Sequence, residues 1–111
     1  MGSKNAEKLI DIFTILNLVY NDFRDSHKLE KFHDEIEYLF IEHLLLYGAF
    51  RFYRSNKSEL YMSKAFEVMD TYFPHWRKNS YINEVGKYKI YLKTLSVYTW
   101  KFYKLLTTIK G

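Results

Sequence analysis

The chain has 111 residues, of which 48% are hydrophobic and 27% charged, and its formal net charge at pH 7 is +4. These values predict one globular domain and exclude a disordered chain. The sequence contains no cysteine, which excludes disulfide bonds, thiolate metal sites and cysteine nucleophiles. No apolar run approaches the roughly 18 residues of a membrane span, and the N-terminal residues lack the apolar core of a secretory signal.

Apolar side chains at three- and four-residue spacing predict helices in chain order at about residues 6–23, 27–54, 59–72 and 87–109. A short helical piece is expected after Pro74, ending near Gly86. No segment alternates with period two, so no sheet is expected. We treat residues 1–4 as a tail and residues 5–111 as a single α-helical domain, a small bundle of about four helices with a long central helix.

The second helix is expected to be the central one. From Leu39 to Tyr53, apolar and aromatic residues nearly encircle it, and a helix that is apolar all round is buried. Gly48 lies inside this helix and would permit another helix to approach closely. Ser58 is expected to cap the third helix, which Pro74 ends because proline disfavours helical geometry in the preceding residue.

The last predicted helix is rich in aromatic residues and lysines. Three- and four-residue spacing places its apolar face toward the core, and this face comprises Tyr88, Tyr91, Leu92, Leu95, Tyr98, Phe102, Leu105 and Ile109. Trp100, Tyr103 and several lysines lie off this face.

Charge is divided unevenly along the chain. Residues 1–73 have a net charge of −3, whereas residues 74–111 have a net charge of +7, with Glu84 as their single acidic residue. Three interpretations are open for the basic segment: a solvated lysine face over an aromatic core, a helix that binds anionic membrane surfaces, or a nucleic-acid surface. Since no nucleic-acid-binding motif is present, we expect no nucleic-acid partner.

The sequence contains no recognisable catalytic constellation. It has no glycine-rich phosphate loop and no HExxH motif. His33 and Glu37 lie one helical turn apart, which fits either an exposed polar pair or two ligands of a metal, although zinc requires three or four. His43 lies in an apolar stripe and is expected to be a core histidine. We therefore predict no catalytic, cofactor-binding or metal-binding residue within this chain.

Three segments together resemble the C-terminal helical region of bacterial family 2 glycosyltransferases, which build capsule, exopolysaccharide or cell-wall glycans. These segments are Glu7–Phe13, Glu37–Leu45, and Ala65–Met69 followed by Phe73–Ile82. The third is the most specific, because it contains a Pro-x-Trp-basic-basic-Asn-x-Tyr string before a helix rich in lysine and tyrosine.

The resemblance implies a parent enzyme that transfers a sugar from a nucleotide-sugar, commonly a UDP-sugar, to a glycan or lipid-linked acceptor. It also implies Mg²⁺ or Mn²⁺ in the full protein, held by a D-x-D motif. This chain contains no D-x-D, so no catalytic or donor-binding residue carries over, and its own enzymatic status stays open. The implied role is a non-catalytic domain that braces an N-terminal catalytic domain or docks on an acceptor, partner or membrane.

Five residues of the third segment are candidate contacts with that catalytic domain or acceptor: Trp76, Arg77, Lys78, Asn79 and Tyr81. The alternative is that Pro74 and Trp76 simply end a helix and fill the bundle. The alternative function is a stand-alone interaction module that binds a membrane surface or a protein through the basic, aromatic last helix. The expected location is the cytoplasm, including the inner face of the cell membrane.

Overall fold

The computed structural model describes the backbone of residues 2–110 and the side chains of residues 11–107. Over this range the chain is all-α, and no strand is present. Helices α1 to α6 span Gly2–Asp25, His33–Phe40, Tyr47–Tyr53, Ser58–Tyr72, Tyr88–Thr94 and Trp100–Lys110. A π-helical turn, Ile41–Leu46, joins α2 to α3, and 3-10 turns span Trp76–Lys78 and Ser80–Glu84. The predicted all-α bundle is therefore confirmed.

Helix α1 packs on the bundle through the face that its spacing predicts. Phe13 and Leu16 are buried, and the ring of Phe13 stacks on Phe52 at a centroid distance of 5.7 Å. The helix begins at Gly2, within the residues that the sequence treats as a tail. Leu9 and Ile109, which spacing also places on apolar faces, lie outside the residues whose side chains are described.

Helix α1 ends on a residue in the left-handed conformation. His27 has φ 60°, Lys28 N–H donates to the Phe23 carbonyl at 2.9 Å, and His27 N–H donates to the Arg24 carbonyl at 3.1 Å. These two bonds form a Schellman motif, with His27 at the position usually taken by glycine. Turns then lead into α2, so the second helix begins at His33 and not at His27 as spacing suggested.

The long central helix runs from His33 to Tyr53 and includes the π-helical turn. The middle of this helix is almost completely buried. Seven of its residues are 0% exposed: Phe40, Ile41, Leu44, Leu45, Leu46, Ala49 and Phe52. This confirms the buried central helix, which α1, α4 and the C-terminal segment surround.

Gly48 is required by the central helix itself. A Cβ atom built at Gly48 would lie 1.5 Å from the carbonyl oxygen of His43, five residues earlier in the chain. Leu46, two residues before it, has φ −105° and ψ −94°, so the backbone departs from α-helical geometry at this point. The glycine therefore accommodates the distorted turn, whereas the sequence suggested that it admits a neighbouring helix.

Helix α4 buries its predicted stripe, with Met62, Ala65 and Met69 each at 0% exposure. Its C-cap is Phe73, directly before Pro74, as predicted. Ser58 is the first residue of the helix and not its cap. The Ser58 hydroxyl instead accepts a hydrogen bond of 2.7 Å from Lys104 Nζ, which ties α4 to α6.

The last predicted helix is divided in two. Leu95 adopts an extended conformation with ψ 130°, so α5 ends at Thr94, and α6 begins at Trp100. The Thr99 hydroxyl accepts a hydrogen bond from Ser96 N–H at 2.8 Å and donates one to the Thr94 carbonyl at 2.7 Å. Short side chains that bond to nearby backbone favour such an interruption over a continuous helix.

Candidate functional site

The segment from Phe73 to Ile82 lies between α4 and α5 and contains the five candidate contact residues. Trp76 is buried at 1% exposure, and the Arg77 guanidinium lies 4.4 Å from the centre of its ring. Arg77 also donates a hydrogen bond to the Leu95 carbonyl at the end of α5. Trp76 and Arg77 are therefore positioned by contacts within the domain.

Asn79 is buried and all of its side-chain hydrogen bonds are internal. Its Nδ2 donates to the Asp34 carbonyl and to Glu37 Oε1, each at 2.9 Å, and its Oδ1 accepts from Tyr81 N–H at 2.9 Å. Glu37 is itself only 4% exposed. A buried carboxylate needs a donor of this kind, so Asn79 fastens the connecting segment to α2.

Lys78 and Tyr81 are the more accessible of the five. Lys78 is exposed, and Tyr81 is half-buried, with its hydroxyl donating to Glu35 Oε2 at 3.2 Å. The negative charge of Glu35 raises the pKa of Tyr81. Two of the five residues, Trp76 and Asn79, are thus buried within the domain, and contact of the five with a catalytic domain or acceptor stays a prediction.

His33 lies between two carboxylates. Its Nδ1 is 3.1 Å from Asp34 Oδ1, and its Nε2 is 4.0 Å from Glu37 Oε2. One ligand atom from each of these three residues lies within 4.8 Å of the others. His33 is thus hydrogen-bonded to Asp34 and lies at ion-pair distance from Glu37, whose other carboxylate oxygen accepts from Asn79.

Exposed apolar side chains cluster on the C-terminal segment, and this face corrects the sequence-based prediction. Tyr98, Phe102 and Leu105 were expected to face the core, yet they are 92%, 59% and 56% exposed. Together with Val97, which is 54% exposed, these residues form what we call the C-terminal ridge. Phe102 and Leu105 are three residues apart and share one side of α6, whereas Val97 and Tyr98 lie in the turn that precedes this helix.

The inward face of α6 consists of residues that spacing had placed off the core. Trp100 is buried at 6% exposure and stacks on Tyr53 with an interplanar angle of 8°. Tyr103 contacts Tyr91 at a centroid distance of 4.7 Å. The physical reason is the break at residues 95–99, which resets the helical phase, so the periodicity of α5 does not continue into α6.

The C-terminal ridge lies in a segment that carries positive charge only. Residues 85–107 contain five lysines and no acidic residue. Lys87, Lys89, Lys93 and Lys101 are exposed. Lys101 is 3.8 Å from Glu59, and both side chains are largely exposed, so solvent screens this pair. The segment therefore combines apolar side chains with a positive field.

Two buried tyrosines connect the central helix to α5. Tyr91 donates its hydroxyl proton to the Leu45 carbonyl at 2.6 Å, and Tyr53 Oη lies 2.7 Å from Tyr91 Oη. Since Tyr91 has one proton to give, Tyr53 is the donor between the two. Burial raises the pKa of Tyr53 to about 12 and also raises the pKa of Tyr91.

A cleft of about 580 Å³ opens beside this pair, between α3, α5 and α6. Its lining consists of Phe50, Arg54, Lys87, Tyr88, Tyr91, Tyr103, Leu106 and Thr107. Sequence reasoning missed the cleft. The only available signal was the density of rings near residues 50, 88 and 103, and nothing in the sequence shows that these positions meet.

No helix in the part of the chain that the structure describes has the length and apolarity needed to span a membrane. Comparison of the chain with protein-family models, with curated proteins and with solved structures finds no match.

Proposed function

We propose that this chain is a non-catalytic helical domain that docks on an anionic membrane surface through the C-terminal ridge. The observation that carries the proposal is the outward orientation of Tyr98, Phe102 and Leu105. Single exposed apolar side chains are common on soluble proteins, but a contiguous set indicates an interaction surface.

Charge favours a lipid surface as the occupant of the ridge. Apolar and aromatic side chains that enter the headgroup region, beside lysines that meet anionic lipids, are the combination used by interfacial helices. The basic segment provides five lysines over residues 85–107, and near the surface each contributes on the order of 1 kcal/mol at most.

Sedimentation with lipid vesicles tests this proposal. The intact chain is expected to sediment with vesicles of phosphatidylglycerol and phosphatidylcholine, and to do so less at high salt or with phosphatidylcholine alone. The double variant Phe102→Ser/Leu105→Ser should lose most of this binding. A matched control is Ile15→Ser/Leu18→Ser, because these two side chains on α1 are 52% and 63% exposed.

Three results would overturn the proposal. One is an absence of binding to anionic vesicles at low salt, and another is equal binding by the ridge variant and the intact chain. The third is a concentration-dependent dimer that only the ridge variant abolishes, which would assign the ridge to a second copy of the chain. Circular dichroism of each variant verifies that the fold is retained.

The resemblance of the three segments to family 2 glycosyltransferases extends this proposal to a parent enzyme. On this view the domain is the C-terminal accessory region of a family 2 glycosyltransferase and holds its catalytic domain near a glycan or lipid-linked acceptor. Trp76 and Asn79 hold residues 73–82 against the bundle, so Lys78 and Tyr81 are the residues of this segment that would contact the catalytic domain. The nucleotide-sugar and its Mg²⁺ or Mn²⁺ would then bind in the catalytic domain.

The reading frame that encodes the chain tests this extension. We expect it to continue upstream into a domain of alternating strands and helices that contains a D-x-D motif. The isolated chain should transfer no sugar from a UDP-sugar. Sugar transfer by the chain alone, or a frame without such a domain, would contradict the glycosyltransferase assignment and leave the docking proposal to be judged on vesicle binding.

A further inference from the structure

The cleft between α3, α5 and α6 has the size and walls of a small-molecule site. Its volume of about 580 Å³ falls within the range of roughly 300–1,000 Å³ that is typical of ligand pockets. Three different helices contribute to it, so its shape depends on the packed domain and is not a property of one helix.

Aromatic rings form the walls of the cleft. Phe50 lies 5.9 Å from Tyr88 and 5.6 Å from Tyr91, and Tyr91 lies 4.7 Å from Tyr103, all between ring centroids. Packing against one another holds these rings in place, and planar rings offer stacking surfaces to a ligand that carries a ring of its own.

The hydroxyl groups of two wall residues are already engaged inside the protein. Tyr91 donates to the Leu45 carbonyl and accepts from Tyr53, while the Tyr103 hydroxyl is bonded to Thr94 Oγ1. These two tyrosines therefore offer their ring surfaces, and not their hydroxyl groups, to the cleft. The cleft would bind the ring of a ligand by stacking more than by hydrogen bonds.

Two cations stand at the exposed edge of the cleft. Arg54 follows the last turn of α3, and Lys87 precedes the first turn of α5. Both side chains line the cleft and both residues are exposed. Among the described residues, no carboxylate lies within 4.0 Å of either cation. A guanidinium and an ammonium together favour a phosphate group.

From these walls and cations we infer that the cleft binds a phosphate monoester that also carries an aromatic ring, of which a nucleoside monophosphate is the common biological form. The base stacks among Phe50, Tyr88 and Tyr103, and the phosphate binds Arg54 and Lys87 at the edge. None of the four side chains of the C-terminal ridge lines the cleft, although Lys87 belongs both to the cleft and to the basic segment that surrounds the ridge.

Titration of the intact chain with AMP, followed by amide chemical shifts in NMR, tests the inference. Adenosine lacks the phosphate, and ribose 5-phosphate lacks the aromatic base, so each should bind at least about tenfold more weakly than AMP. Shifts at saturating AMP should centre on residues 50–54, 87–91 and 103–107.

Two variants separate the contributions of charge and stacking. Arg54→Gln should weaken AMP binding about tenfold, because a charge-assisted bond to phosphate is lost. The matched control is Arg51→Gln, since Arg51 is also exposed on α3 but does not line this cleft. Tyr88→Leu should weaken AMP and adenosine but leave ribose 5-phosphate unchanged.

The inference is overturned if AMP at about 10 mM causes no shifts in the intact chain. It is also overturned if ribose 5-phosphate binds as well as AMP, or if Arg54→Gln binds AMP like the control variant. Vesicle binding by the same preparations reports on the ridge, so failure at the cleft and failure of membrane docking give different results.

Discussion

The hydroxyl group of Tyr91 in α5 donates a 2.6 Å hydrogen bond to the carbonyl oxygen of Leu45, inside the π-helical turn of the central helix. An irregular turn leaves backbone groups that need partners from elsewhere, and an unpaired buried carbonyl is costly. Tyr91 therefore supports a distortion that lies 46 residues away in the chain.

Replacing Tyr91 by Phe should lower the free energy of unfolding by about 1–3 kcal/mol, because Leu45 loses its donor and Tyr53 loses its acceptor. Urea denaturation measures this difference. The control is Tyr98→Phe, which removes a hydroxyl from a side chain that is 92% exposed and should change stability by less than about 0.5 kcal/mol. Equal stability of the two variants would show that the buried bond contributes little.

Alkaline pH should destabilise the fold through the same two tyrosines. The folded state holds the pKa of Tyr53 near 12, above its ordinary value of 10.0. Above pH 10 the unfolded chain therefore loses protons that the folded chain keeps, so stability falls as pH rises, by about 2 kcal/mol for Tyr53 at pH 12.

Urea denaturation between about pH 9 and pH 11.5 measures this slope. Tyr53→Phe should reduce it, whereas Tyr98→Phe should keep the slope of the unmodified chain. A Tyr53→Phe slope identical to that of the unmodified chain would contradict the assignment.

Gly48→Ala should destabilise the chain, although alanine normally favours a helix over glycine by about 1 kcal/mol. The added methyl group would lie 1.5 Å from the His43 carbonyl oxygen, so the π-helical turn must shift. We expect a loss of about 3 kcal/mol in urea denaturation. Ser63→Ala on the exposed side of α4 is the control, and a stable Gly48→Ala variant would show that the turn relaxes easily.

Asn79→Asp should be more damaging near pH 8 than near pH 5, because it places a second carboxylate beside buried Glu37. Like charges in a buried site repel strongly, and protonation of the introduced carboxyl group relieves the repulsion. Thermal unfolding over this pH range measures the difference from the unmodified chain. The control is Asn83→Asp, which adds the same charge at an exposed neighbouring position. An equal pH dependence in this control would show that repulsion from Glu37 is not the cause.

His27→Gly should stabilise the domain by about 0.5–1 kcal/mol, since glycine adopts positive φ without steric cost. His27 has φ 60° at the end of α1. Gly86→Ala is the converse case, because Gly86 has φ 62° and open space around an added Cβ, so only backbone strain opposes it. Calorimetry should show a higher melting temperature for His27→Gly and a lower one for Gly86→Ala than for the unmodified chain.

Residue spacing correctly predicted the helical class, the buried central helix and the inward stripe of α4. It failed at α6, where Tyr98 and Phe102 were expected inside and Trp100 outside. The Ser96 and Thr99 hydroxyls offered a signal, since side chains that bond to backbone often interrupt helices. Spacing alone could not show how far this interruption rotates α6, because the rotation depends on contacts with other helices, such as the stacking of Trp100 on Tyr53 of α3.

The candidate sites were likewise predicted from the sequence only in part. The sequence indicated that the basic, aromatic C-terminal segment and residues 73–82 are candidate contact surfaces. It could not show that Asn79 reaches Glu37, or that Arg54 and Lys87 border one cleft, because these pairs are distant in the chain and meet only after packing.

The order of residues specifies an all-α domain with a buried central helix, because apolar periodicity is local and each helix must bury its own stripe. The packing of distant segments fixes which side of α6 faces outward and where the aromatic cleft opens. Those features arise from long-range contacts such as Tyr91 with Leu45 and Tyr53 with Trp100, and local spacing carries no information about them.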